Sequence, residues 1–246
     1  MNKKNHSGVV LKASDFKENA QIISLFTPNG KESLIVRGAK KINSKTRIFA
    51  QPLTLISYRK TINRELNTLI EGEVIDSFSS IKADQDKMNV VYPILEKLYL
   101  FGNETKDDQV LFKFIIMLLD LLKKTKFSDG LLVIFEVKLL YLLGLAPRFF
   151  DCPSCGKKIK VGYFSIEAGG VLCELCSHSG FNLDSVQTEA LKQLYLIKPE
   201  KIDEQFLQKH CDKIELIQLI IDDYYFKYLD FKSKSKKIIT QLKAQN

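Results

Sequence analysis

Two pairs of cysteines constrain the fold of this chain more than any other feature. Cys152 and Cys155 form one CxxC pair, and Cys173 and Cys176 form a second one after 17 intervening residues. Pairs at this separation bring four thiolates within reach of one tetrahedral Zn²⁺ ion. Four thiolates leave no coordination position open, so such an ion would hold the fold together and not activate water. We therefore predict one structural Zn²⁺ bound by these four cysteines.

Two alternatives for the metal ligands stay open. The cysteines could be free buried thiols or a redox pair, and His178 could replace one of them as a ligand.

A disulfide framework is disfavoured, because the polar segment Met1–His6 does not resemble a signal peptide. The apolar stretches 110–122 and 131–146 are interrupted by charges and are too short for a membrane span. We expect a cytoplasmic protein with no membrane partner.

The first 80 residues have the short hydrophobic period of β-strands. Five strand-length runs rich in β-branched and apolar residues occur here, and Pro28-Asn29-Gly30-Lys31 predicts a hairpin turn between the second and third. Five short strands are typical of a small barrel such as an OB-fold. The predicted strands are centred on residues 8–11, 21–26, 33–36, 53–58 and 67–70.

From residue 81 onward the period changes to that of helices. Apolar residues recur at helical spacing in three segments before the cysteines and two after them, the last carrying Ile214 to Tyr228. Asp184 or Ser185 is expected to cap the first helix after the cysteines. The predicted fold class is α+β: an N-terminal OB-fold β-barrel at 1–80, then an α-helical domain at 81–246 with a four-cysteine zinc knuckle inserted at about 149–182.

A basic loop follows the third predicted strand. The segment 37–47 holds five cations and no acid. The first 64 residues carry 13 Lys and Arg against 3 acids, a net charge of +10 that exceeds the +8 of the whole chain. A basic loop of a small barrel suits a phosphate backbone, although such a run can also be a solvated surface without a ligand. The candidate DNA-binding residues are Arg37, Lys40, Lys41, Lys45 and Arg47.

Other features point less clearly to a function. Phe49 and Tyr58 lie near the basic loop and could stack on a base, but core packing is the better interpretation. Lysines between Lys227 and Lys237 form either a solvated face or a site for an acidic peptide or DNA. The chain contains no Walker A, GxSxG or HExxH sequence, and no HxE beside a CxxC pair. We therefore expect a protein that is not an enzyme.

Taken together, several segments resemble the bacterial RecO family along nearly the whole chain. The resemblance is specific only when the segments are combined. They are Gly8–Ala13, Glu18-Asn19, Leu25–Thr27, Arg37–Arg47 with Gln51–Leu53, Leu142–Arg148, the four cysteines, Phe164–Gly170, and Tyr228-Leu229 with Lys232-Ser233.

The resemblance implies an OB-fold, a helical domain and a zinc knuckle. It also implies a nucleoid-associated mediator of recombination and DNA repair that binds single- and double-stranded DNA and anneals complementary strands. With RecR, such a protein is expected to help load RecA onto DNA coated by the single-strand-binding protein (SSB). The implied partners are therefore RecR, the acidic C-terminal tail of SSB, and RecA indirectly. The leading alternative function is a zinc-ribbon regulator that reads a defined DNA sequence. A nuclease is the next alternative.

Overall fold

A computed structural model describes residues 5–62 and 65–244. Lys3, Lys4 and Arg64, which contribute to the predicted charge of the barrel, lie outside the described residues. The chain divides into two compact units, residues 1–123 and 124–246. Within the described ranges, no helix is both long and apolar enough to cross a membrane.

The first unit contains a closed five-stranded barrel with the strand order β1-β2-β3-β5-β4, which confirms the predicted OB-like fold. All neighbouring strands are antiparallel except β3 and β5, which pair in parallel. Val10, Ile23, Leu34 and Ile56 point into the barrel and are fully buried. The strands are β1 (His6–Phe16), β2 (Ala20–Thr27), β3 (Gly30–Arg37), β4 (Leu55–Lys60) and β5 (Asn67–Asp76).

Two details of the barrel depend on backbone conformation. The predicted hairpin turn joins β2 to β3 with Thr27 opposite Gly30, whose φ of 87° suits a residue without a side chain. The fourth strand was predicted to begin at Leu53, but it begins at Leu55. The φ of Leu53 is 54°, a left-handed conformation that is incompatible with a strand.

Seven helices occur among the described residues. Helices α1 to α3 belong to the first unit, where Lys31 Nζ donates to the carbonyl oxygen of Tyr99 at 2.6 Å and the Phe26 and Phe112 rings lie 6.3 Å apart. Helices α4 to α7 belong to the second unit. The helices are α1 (Ser79–Lys82), α2 (Gln85–Phe101), α3 (Asp108–Leu122), α4 (Ser128–Leu142), α5 (Ser185–Leu196), α6 (Glu204–Leu229) and α7 (Lys234–Lys243).

The second unit also contains a two-stranded hairpin of β6 (Gly162–Ser165) and β7 (Gly170–Cys173). As predicted, Asp184 caps α5, and the side chain of Gln187 completes a capping box. The prediction that the helix carrying Tyr228 is the last one was wrong. Asp230 ends α6 in a left-handed conformation, and Ser233 caps a further helix, α7.

Candidate nucleic-acid interface and metal centre

Consecutive turns shape the backbone of the basic loop. Lys41 donates its N–H to Gly38 O at 3.1 Å, and Ser44 donates to Lys41 O at 3.1 Å. Ser44 then caps a 3₁₀ helix that runs from Lys45 to Ala50. Ala39 is 2% exposed and anchors the loop in the barrel core. Ser44 and Thr46 are held by hydrogen bonds within the loop, whereas the cationic side chains from Lys40 to Arg47 face outward.

All five predicted DNA-binding cations are exposed. Lys40 Nζ lies 3.0 Å from Asp15 Oδ2, and this contact with Lys40, together with a hydrogen bond from Gln21, lowers the pKa of the Asp15 carboxyl group. Among residues 5–62 and 65–244, no acidic side chain forms a salt bridge with the other four cations, Arg37, Lys41, Lys45 and Arg47. Part of the Lys40 charge is therefore neutralised, whereas the others remain available to an external anion.

The barrel brings one more cation to this end. Ala20 pairs with both Phe16 of β1 and Arg37 of β3, so the β1–β2 turn lies beside the start of the basic loop. Lys17 sits in this turn with a φ of 51°, and its side chain is exposed. Sequence reasoning did not select Lys17, because its proximity to Arg37 follows only from strand register.

Aromatic stacking platforms were also considered near this loop. Tyr58 is 2% exposed, and its hydroxyl donates to Glu32 Oε2 at 2.6 Å. Burial, together with the adjacent Glu32 carboxylate, raises the pKa of Tyr58. The Phe49 ring packs against Gly72 and the barrel core. Core packing was therefore the correct interpretation for both rings.

The four predicted cysteine ligands meet in the second unit. One Sγ atom from each of Cys152, Cys155, Cys173 and Cys176 lies within 4.8 Å of the other three. The sulfurs of Cys155 and Cys173 are 3.7 Å apart, and a tetrahedral ion with a metal–sulfur distance of about 2.3 Å places its sulfurs about 3.8 Å apart. The donor set and spacing fit a metal ion with tetrahedral thiolate coordination.

The backbone around the cysteines explains this convergence. Gly156 donates its N–H to Cys152 O at 2.9 Å, and Cys176 donates to Cys173 O at 3.0 Å, so each CxxC pair closes a turn. The φ of Gly156 is 72°, a conformation that glycine adopts readily in a tight turn. Cys173 ends β7, so the hairpin returns the second pair to the first. His178 is exposed and does not belong to the cluster of ligand atoms.

The ionisation of the cysteines is strongly interdependent. Burial tends to raise the pKa of Cys152, but backbone hydrogen bonds involving Cys173, Cys155 and Ser154 outweigh it and lower this pKa to about 6. Side-chain hydrogen bonds with Cys173 and Cys155 raise the pKa of Cys176 to about 12. One thiolate therefore forms readily, while further thiolates meet its negative charge. A bound divalent cation would remove that repulsion.

The hairpin beneath the cysteines is held on several sides. Val171 donates its N–H to Arg148 O at 2.8 Å, and Phe164 N–H donates to Thr188 Oγ1 at 2.9 Å. Tyr228 of α6 donates its hydroxyl to Ile166 O at 2.9 Å. The cysteine pairs are thus tied to the preceding chain, to α5 and to α6, so loss of their cross-link would affect all three.

A cavity of about 590 Å³ lies between this hairpin, α5 and α6. His210 lines it and is 3% exposed, and its Nε2 has no hydrogen-bond partner among the residues that are described. Burial, with smaller contributions from Lys209 and Lys213, lowers the pKa of His210. Glu189 is the one acidic residue in the lining, against four lysines: Lys160, Lys192, Lys209 and Lys213. Sequence periodicity could not reveal this cavity.

The C-terminal lysines are partly engaged within the chain. Lys227 Nζ lies 2.5 Å from Glu167 Oε2, and Lys236 Nζ lies 2.7 Å from Glu136 Oε1. Lys232 Nζ lies 4.0 Å from the centre of the Phe226 ring. Lys237 is exposed. The sequence left open a solvated face or a site for an acidic peptide or DNA, whereas the structure gives several of these lysines separate partners within the chain.

Two families of sequences match the chain. The family described as Recombination protein O N terminal matches residues 1–78, and the family described as Recombination protein O C terminal matches residues 84–237. Together the two matches cover the barrel and most of the helical part.

Curated relatives named DNA repair protein RecO match over nearly their full length. The Bacillus pumilus protein is 30% identical over 241 residues, which cover 96% of this chain and 93% of the relative. The Desulforamulus reducens protein is 30% identical over 245 residues, with 97% and 94% covered. The Oceanobacillus iheyensis protein is 28% identical over 239 residues, with 96% and 92% covered.

Proposed function

This chain belongs to the RecO family of DNA repair and recombination proteins, and from that premise we propose that it is a non-enzymatic mediator that binds single- and double-stranded DNA and anneals complementary strands. The observation that carries the proposal is a group of four exposed cations at one end of the barrel to which the described part of the chain provides no salt bridge: Arg37, Lys41, Lys45 and Arg47. We propose a cytoplasmic, nucleoid-associated location, because the ligand is DNA.

Phosphate neutralisation is the chemistry that these cations can supply. Arg37, Lys41, Lys45 and Arg47 are exposed and lack carboxylate partners in the described structure, so binding DNA does not require them to break an internal ion pair. Lys40 can join them if a DNA phosphate replaces Asp15 as the partner of its ammonium group. Cations that contact two strands at once lower the repulsion between them. Annealing by this mechanism needs no chemical step.

The salt dependence of binding tests this role. Replacing Lys41 and Lys45 together by alanine should flatten the slope of log K against log salt by about 1.4 on single strands and about 1.8 on duplex. The reason is that two phosphate contacts are lost, and the counterions that these contacts would have displaced stay on the DNA. The loss should be similar for unrelated sequences, since phosphates carry no sequence information. Fluorescence anisotropy across a salt series measures both slopes.

A matched control comes from α3 and the turn before it. Lys106 and Lys113 are exposed lysines of the same unit, so their double alanine variant changes the net charge equally. An equal flattening in this control would show that total charge, and not the loop, determines the slope. A strong preference for one duplex sequence under competition would instead favour the alternative of a sequence-specific regulator.

The proposed cofactor is one structural Zn²⁺ held by Cys152, Cys155, Cys173 and Cys176. The clustering of four sulfurs at tetrahedral spacing supports this assignment, because zinc prefers thiolate ligands in closed sites. When bound, the ion neutralises the thiolates and cross-links the two CxxC turns. We also propose a domain organisation of an OB-fold domain at 1–80 and a helical domain at 81–246, with the zinc knuckle at about 149–182.

The proposed partners are RecR, RecA indirectly, and SSB through its acidic tail. These partners follow from family membership. The decisive assay is annealing of SSB-coated strands, and loading of RecA on them in the presence of RecR. Annealing of bare strands without any effect on SSB-coated ones would contradict the mediator role.

The acidic tail of SSB is proposed to bind the helical part of the chain. The cavity supports this, because its apolar walls carry four lysines against one acid. Lys213 Nζ also lies 2.6 Å from Asp212 Oδ2, so this lysine must exchange that contact for the peptide. Replacing Lys209 and Lys213 by alanine should weaken binding of a tail peptide about five- to tenfold, since partly exposed ion pairs contribute modestly.

Peptide anisotropy measures this loss. The comparison variant replaces Lys237 and Lys243, which are exposed lysines of α7. A loss confined to the α7 variant would move the binding site to the C-terminal lysines. Unchanged binding of SSB after deletion of its tail would contradict the partner hypothesis itself.

A further inference from the structure

Ile42 occupies an unusual position within the basic loop. Its side chain is 82% exposed, and it lies between Lys41 and Lys45 in the sequence. The hydrogen bond from Ser44 N–H to Lys41 O makes Ile42 and Asn43 the two central residues of a turn. The turn therefore presents an aliphatic side chain among cations that have no salt bridge among the described residues.

Local preferences do not explain an isoleucine at this position. Turns favour Gly, Pro, Asn, Asp and Ser, whereas β-branched residues favour strands. The Ile42 side chain also gains little from burial, because most of it faces water. Asn43, its neighbour in the turn, follows the usual preference. A residue that opposes both turn chemistry and solvation is often present for a function.

We propose that Ile42 packs against unstacked bases and makes the basic loop prefer single-stranded DNA. This inference rests on the proposed DNA binding by the same loop. Neighbouring cations hold the phosphate backbone, and an aliphatic side chain at the tip covers the face of a base or enters between two bases. Apolar side chains serve as wedges between base steps in other DNA-binding proteins.

The preference for single strands follows from the cost of exposing a base. In a single strand the base faces are accessible, so contact with Ile42 removes apolar surface from water. In a duplex the same contact first requires unstacking of a base step. Phosphate contacts with Lys41 and Lys45 are available in both forms. Ile42 therefore adds affinity for single strands and little for duplex.

Replacing Ile42 by serine tests this role. We expect affinity for single strands to fall about tenfold at every salt concentration, because apolar burial is lost, while the slope of log K against log salt stays that of the parent, because no phosphate contact is lost. Duplex affinity should change less than about twofold. Binding of the parent should change the fluorescence of a strand that contains 2-aminopurine. This change should be absent with Ile42→Ser and present with Ile42→Phe.

The matched control is Ile62→Ser. Ile62 is 96% exposed and also lies in a barrel loop, but the nearby cations within the described residues, Arg59 and Lys60, are paired with Glu71 and Glu32. This variant should bind like the parent. Equal losses for Ile42→Ser on single strands and duplex, or no loss on single strands, would overturn the inference. An unchanged slope in the Lys41 and Lys45 variant would instead contradict the proposed phosphate path, so the two failures are distinguishable.

Discussion

A variant in which Cys152 and Cys173 are both alanine is expected to contain no zinc and to lose the cooperative folding of the hairpin region. Each substitution removes one ligand from a different CxxC pair, so two thiolates remain and the site is no longer closed. In small zinc domains, metal binding contributes about 10–16 kcal/mol at neutral pH, and this energy is folding energy. The expected change therefore exceeds that of ordinary core substitutions.

Elemental analysis and thermal unfolding measure this result. The parent should contain one zinc per chain, and the variant none. Cys211→Ala provides the control, because the fifth cysteine is exposed on α6 and does not belong to the ligand cluster. It should retain the metal and the unfolding temperature. A freshly purified parent without zinc, or a double variant as stable as the parent, would contradict the structural metal.

Metal removal should reproduce the effect of the substitution. The hairpin is tied to the preceding chain through Arg148, to α5 through Thr188 and to α6 through Tyr228. A chelator that extracts zinc should therefore increase amide hydrogen exchange around these contacts. Readdition of zinc should reverse the change, since the ligands themselves remain.

The sequence identified those parts of the structure that depend on local patterns. The strand period and the turn at Pro28–Lys31 were sufficient for the barrel, because residues that alternate along a strand face the same core. The spacing of the cysteines was sufficient for their convergence. In both cases the relevant residues are close in the chain or share a known geometry.

The sequence did not reveal features that depend on distant side chains. The contact of Lys40 with Asp15 requires the register between β1, β2 and β3. Lys17 joins the basic end of the barrel for the same reason. The orphaned His210 of the cavity depends on the packing of α6 against α5 and the hairpin. None of these contacts has a sequence signature, because the residues that form them lie far apart in the chain.

The largest difference between sequence and structure concerns Lys236, one of the C-terminal lysines that the sequence assigned either to a solvated face or to a site for an acidic peptide or DNA. Glu136 of α4 is fully buried, and Lys236 Nζ lies 2.7 Å from its Oε1 and 2.6 Å from Asp222 Oδ1. Gln218 Nε2 donates to Glu136 Oε2 at 2.5 Å. Lys236 thus carries a cation from α7 into the interior of the second unit.

Replacing Lys236 by methionine should destabilise the protein by about 3–5 kcal/mol, because the Glu136 carboxylate is left in the interior without this cation. Methionine keeps most of the apolar length of lysine, so lost packing contributes little. Thermal or urea unfolding measures the change. The neighbouring Lys237→Met is the matched control, since Lys237 is exposed, and it should unfold like the parent.

A second substitution separates the charge from the shape of the site. Glu136→Gln removes the buried charge and keeps an oxygen that can accept from Gln218. Combined with Lys236→Met, it should recover most of the lost stability, because neutral replacements of a buried pair cost far less than removal of one partner. If Lys236→Met alone is as stable as Lys237→Met, the carboxylate does not depend on α7. If the double variant is no better than Lys236→Met, the loss comes from another contact of Lys236, such as its ion pair with Asp222, and not from an unpaired Glu136 charge.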